Sequence, residues 1–180
     1  GNVAETNIQA DITKSYRHNV YSLTGAHDPV EPTLLRAPHV ECSDCHNPHA
    51  SNDSRASAPD ASGALAGVLG IDQNVAAVSP IPYEYELRFR CHSSTPGMTA
   101  SSTSRDIPQN NVMQEFATSN PSFHPVIGPR NNPEVPSLIA PLTPSSVIYC
   151  TDCHGSDQSN GAKGPHGSIY PGMLKKQYNK

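Results

Sequence analysis

Hydrophobic positions in this chain seldom keep a period. Residues 83–92 alternate weakly, with Tyr83, Tyr85, Leu87 and Phe89 set against Glu84, Glu86 and Arg88, a pattern that fits a strand or a short helix equally. Residues 111–117 and 172–178 each have room for a turn or two of helix, the second with Lys175 and Lys176 near its end. Residues 50–82 are rich in Ala, Ser, Gly and Pro, with Gly63, Gly67 and Gly70 spaced for turns, and read as a loop. Residues 1–17 are polar and aperiodic and read as an arm, while the Ser/Thr-rich run 93–104 reads as a mobile stretch. The predicted fold class is mostly irregular coil with a few short helices, in a single domain spanning 1–180.

Composition makes such a fold difficult to hold together by side chains alone. The 180 residues include no Trp and only 3 Phe, the hydrophobic fraction is 35%, and Pro reaches 18 residues. That is about twice the average proline usage of roughly 5%. Another apolar body must therefore fill the interior. The formal charge of −4 gives no footing for a nucleic-acid partner. No run approaches the roughly 18 apolar residues of a membrane span, and Gly1, Asn2 and Val3 do not open a signal peptide.

The cysteines name that body. Cys42, Ser43, Asp44, Cys45 and His46 read CxxCH, and Cys150, Thr151, Asp152, Cys153 and His154 repeat it. This is the attachment signature of a c-type haem. Two thiols form thioethers with the vinyl groups, and the next residue turns under the ring to ligate iron. Zinc is the competing owner of paired CxxC, through Cys42, Cys45, Cys150 and Cys153, but it leaves the His after each pair unexplained. An altered copy lies between them at Arg88, Phe89, Arg90, Cys91 and His92, where Arg replaces the first Cys. Cys91 can still form one thioether and His92 can still ligate iron, so three haems are expected, the central one with a single linkage. Covalent haem is installed outside the bacterial cytoplasm, which implies a secreted, extracellular or periplasmic protein whose leader has been removed.

The motifs sit in a repeat. His18-Asn19-Val20 precedes Glu31-Pro32-Thr33-Leu34-Leu35, the first CxxCH and Pro48-His49; His124-Pro125-Val126 precedes Val135-Pro136-Ser137-Leu138-Ile139, the second CxxCH and Pro165-His166. The modules span 18–49 and 124–166, joined by a loop-rich region, 50–110, that holds the altered site. With 9 His against 3 Met, the far side of each iron is expected to take His. The candidates are His18, His49, His124 and His166. Repeat equivalence pairs His18 with the iron of His46 and His124 with that of His154, and His49 is favoured opposite His92. His27 and His39 are as readily ordinary histidines as ligands.

In these words the chain resembles bacterial multihaem c-type cytochromes with paired CxxCH motifs, many of them secreted for respiration on extracellular acceptors. The matching stretches are His18-Asn19-Val20, CSDCHNPH at 42–49, SGALAGVLGID at 62–72, SFHPV at 122–126, and 150 onward through Gly164-Pro165-His166-Gly167-Ser168. The resemblance implies a small protein folded around closely packed haems that transfers electrons and performs no catalysis. Its partners would be other redox proteins or extracellular acceptors. Some similar cytochromes polymerise into filaments in which a His from one subunit ligates iron in the next. Relatives would carry CxxCH at the central site too, so Arg88 is a departure. The competing class is a small haem reductase or peroxidase with an open axial position at the central haem.

Overall fold

The computed structural model describes residues 6–21, 40–93 and 111–178. His27, His39, the run 31–35 and most of 93–104 lie outside them. The architecture is mostly coil, as expected, with four short helices and two two-stranded ribbons among the described residues. Two compact units emerge, a terminal one of Gly1–Ala26 with Cys150–Lys180 and a central one of His27–Tyr149. Their boundary passes through both sequence modules.

In the terminal unit, α1 (Ile8–Ile12) begins where the side chain of Asn7 accepts from Ala10 N–H at 3.2 Å. Five residues cannot sustain a helix alone. Asp11 fastens it: only 1% exposed, it accepts from Lys14 Nζ (2.6 Å), Ser156 Oγ (2.8 Å) and Ala162 N–H (3.1 Å). Lys14 also pairs with Asp157 at 2.8 Å. Residues 6–21 are thus not a loose arm, because Asp11 and Lys14 are paired inside the unit. Next, β1 (Tyr16–Arg17) pairs antiparallel with β4 (Gly167–Ser168), Tyr16 opposite Ser168 and Arg17 opposite Gly167. A Cβ at Gly167 would run into the backbone carbonyl of Asp11, so only glycine permits this approach. α4 (Cys150–Cys153) is followed by a 3-10 turn, Pro171–Met173. The core of this unit is polar and hydrogen-bonded: Asp11, Ser156 and Ser168 are all buried.

The central unit has the apolar core. α2 (Cys42–Cys45) comes first, then a hairpin of β2 (Gly70–Ile71) and β3 (Ala77–Val78). Asp72 shapes the hairpin turn, its Oδ1 accepting from Asn74 N–H and Ala76 N–H, both at 2.8 Å. The stretch read as a loop at 50–82 therefore holds a small ribbon. α3 (Glu84–His92) resolves the weak alternation as helix and packs on β2. Leu87 joins Val68 and Ile81 in a cluster flanked by Cys45, Ala61, Leu65 and Val78. On the neighbouring face Phe89, 1% exposed, sits between Tyr85 and Phe116 with ring centroids 5.3 and 6.3 Å away. Phe116 belongs to a 3-10 turn, Val112–Phe116, where a short helical segment was expected.

Candidate haem-attachment sites

Each CxxCH folds as one helical turn that releases its His into the residue after the helix. In α2, Glu41 N–H donates to Asp44 Oδ2 at 2.8 Å and His46 N–H closes the turn on the Cys42 carbonyl at 2.9 Å. His46 itself is extended, with φ −136° and ψ 130°. In α4 the same closing bond runs from His154 N–H to the Cys150 carbonyl at 3.0 Å. Lys175 N–H and Gly155 N–H tie this turn to the C-terminal segment, bonding the carbonyls of Cys153 (2.9 Å) and Met173 (2.8 Å). None of the five cysteines is in a disulfide; Cys42 and Cys153 are exposed, the other three half-buried.

The two imidazoles are oriented alike. His46 Nδ1 lies 3.3 Å from the Ala64 carbonyl oxygen, and His154 Nδ1 lies 2.7 Å from that of Gly172. Both partners are 18 residues downstream. A carbonyl oxygen can only accept, so in the neutral ring each Nδ1 carries the proton and each Nε2 presents the lone pair. A backbone carbonyl bound to one nitrogen is the usual way a protein fixes a metal-ligating His through the other. No sequence signal announced these bonds, because any residue supplies a carbonyl.

This donor set fits haem: two thiols and an imidazole whose Nε2 is the unprotonated nitrogen, on one turn. Among the described residues no three His, Cys, Asp or Glu side chains are grouped as a metal cage.

The central copy is built differently. Arg88, in the place of a first cysteine, points back along α3 and pairs with Glu84 at 3.2 Å, the two side chains 15% and 6% exposed. His92 remains inside the helix, which ends as Ser93 N–H bonds the Phe89 carbonyl at 3.1 Å. Arg90 reaches the first motif, its Nη2 3.2 Å from Asp44 Oδ1 and its Nη1 3.4 Å from the Asp44 carbonyl. Cys91 is thereby brought beside Cys45. Burial pushes both thiols up, more than the charges of Arg88 and Arg90 pull them down; Asp44 adds to the rise at both, and Cys45 adds to that of Cys91.

The remaining histidines divide between the units. His18 follows β1 in the terminal unit, and one further step of the β1–β4 register sets it opposite His166. His49 is exposed after α2, its N–H donating to Asn47 Oδ1 at 3.0 Å. His124 is exposed too, its carbonyl accepting from Val126 N–H at 2.8 Å. His18 and His46 therefore fall in different units, as do His124 and His154, whereas His49 and His92 share one.

No helix among the described residues is long and apolar enough to cross a membrane. No protein family, curated protein or solved structure matches this chain.

Proposed function

We propose that the chain is a multihaem c-type cytochrome that carries electrons outside the cytoplasm. The observation that carries this reading is the pair of Nδ1–carbonyl bonds, His46 to Ala64 and His154 to Gly172, which leave Nε2 as the ligating nitrogen in both CxxCH turns. Cys42 with Cys45, and Cys150 with Cys153, hold one haem each, and Cys91 with His92 holds a third through a single thioether. Bound haem supplies reversible one-electron exchange at iron. His18, His49, His124 and His166 are the candidates that would give these three irons a second imidazole, with one of the four left over. Two imidazoles per iron leave no position for a substrate, so the protein acts as a carrier and no catalytic residue is assigned. Its contribution is placement, exposure and local polarity. The electron partners are other redox proteins or extracellular acceptors, and His ligation between copies would extend the path into a filament.

Intact mass of the secreted protein, read with its ferric visible and EPR spectra, tests this reading. Three covalent haems with wholly low-spin signals are expected. A haem-free chain overturns the function, and two haems overturn the central site.

A further inference from the structure

Resting on the haem reading above, we infer that His18 supplies the second axial ligand to the iron held by Cys150, Cys153 and His154. Repeat equivalence would send His18 to the iron of His46, but residues 6–21 are built into the unit that contains His154. Three separate fastenings hold them there. Asp11 accepts from Ser156 and Ala162, 145 and 151 residues away in sequence. Lys14 bridges Asp11 and Asp157 at 2.6 and 2.8 Å. β1 then pairs with β4, which ends one residue short of His18. Closing a loop of that length costs about 4 kcal/mol of chain entropy. The latch offsets this cost, and along residues 6–21 the only imidazole, thiol or thioether it delivers is His18.

The place of delivery suits the role. Asp11 and Lys14 grip Ser156, Asp157 and Ala162, all within eight residues of His154 on its C-terminal side. β1 also packs on the 3-10 turn Pro171–Met173, whose Gly172 carbonyl orients the His154 ring. His166, the neighbour of His18 across the ribbon, is the rival ligand. Its ring, however, lies folded against its own loop, with Cε1, Nδ1 and Nε2 at 3.3, 3.7 and 3.9 Å from where a Cβ on Gly164 would stand. His18 is the one imidazole that the latched segment carries into this unit.

The test uses the secreted, haem-loaded protein, with haem counted by mass and spin state read by ferric EPR and visible spectra. His18→Ala should keep the haem count, turn one haem equivalent high-spin and recover the low-spin spectrum with added imidazole. His18→Met should stay low-spin with one raised potential, as a His/Met pair requires. In a Cys150→Ala/Cys153→Ala background, which lacks the haem in question, His18→Ala should add no high-spin signal. Wholly low-spin spectra from His18→Ala with all haems present overturn the assignment while leaving the cytochrome reading intact. So does a high-spin signal that persists in the Cys150→Ala/Cys153→Ala background, or one produced by His166→Ala alone. A chain that acquires no haem overturns the cytochrome reading itself.

Discussion

The imidazole of His154 donates through Nδ1 to the carbonyl oxygen of Gly172 at 2.7 Å, and Gly172 holds that carbonyl in place with φ +66°. A Cβ at Gly172 would meet nothing within 4 Å, so substitution acts through the backbone alone. The left-handed region costs an L-residue roughly 1–2 kcal/mol. Gly172→Ala should therefore lower the urea stability of the terminal unit by about 1 kcal/mol. Weaker donation from Nδ1 also makes the ring a poorer electron donor, so one haem potential should rise in a redox titration. Unchanged stability and potential would show that the bond does not orient His154.

Asp11 and Lys14 set opposite ends of a pH window. Burial alone would raise the Asp11 pKa, but bonds from Lys14, Ser156 and Ala162 and the Lys14 charge outweigh it, leaving the carboxyl below its ordinary 3.8. For Lys14, burial would lower the pKa, yet bonds and charge from Asp11 and Asp157 hold it above 10.5. A depressed acid stabilises above its unfolded pKa and loses that contribution as pH falls through the folded value; a raised base stabilises below its unfolded pKa and loses it as pH rises. Urea midpoints should be level between about pH 5 and 10 and fall at both ends. Asp11→Asn should cost about 3 kcal/mol at neutral pH, because Lys14 stays buried with one of its two carboxylates, and should flatten the acid limb. An acid limb as steep as that of the parent protein would count against the network.

Arg88→Cys restores a complete CxxCH in sequence. If Cys91 and His92 already hold a haem, the haem count should stay the same and one single-thioether pyridine haemochrome band should shift to the two-thioether position. The substitution also removes the Arg88–Glu84 ion pair, in which Glu84 is 5% exposed, and should lower stability by about 1–3 kcal/mol. A gain of one haem in the variant would mean that Arg88 abolishes the central site.

Before attachment, the thiols should differ in reactivity. Burial raises the pKa of Cys45 and Cys91, and the thiolate is the nucleophile, so both should be alkylated more slowly at neutral pH than the exposed Cys42 and Cys153. Time-resolved iodoacetamide labelling of the haem-free chain with peptide mapping measures this directly. Arg90→Ala, which releases Asp44 from α3, should speed labelling at Cys45. Equal rates at all four positions would contradict the packing of α3 against α2.

What could be read in advance follows from how local each feature is. Cys42 to His46 and Cys150 to His154 are single turns whose thiols and imidazole are adjacent in sequence, so their grouping was legible. The alternation at 83–92 was ambiguous because Glu84, Tyr85, Glu86, Leu87 and Phe89 are all buried, which removes the polar face that marks an amphipathic helix. Asp11 and Lys14 fall in the stretch read as an arm, since their partner Ser156 lies about 145 residues away and nothing nearby hints at it. Likewise, Ala64 and Gly172 serve through their carbonyls, which no residue pattern encodes.

The terminal unit is assembled from two stretches separated by the whole of His27–Tyr149, and this imposes a schedule on folding during synthesis. A chain that emerges N-terminus first exposes Asp11, Lys14 and His18 long before Ser156, Asp157 and Ala162 exist to receive them. The central unit, being contiguous, can complete itself in the interval, whereas the terminal unit must wait for distant pairing, the slowest class of contact to form. In the cytochrome reading proposed above, haem delivery to Cys42, Cys45 and Cys91 would precede closure of the N-terminal segment, and the haem at Cys150 and Cys153 would be the last to gain its complete set of ligands.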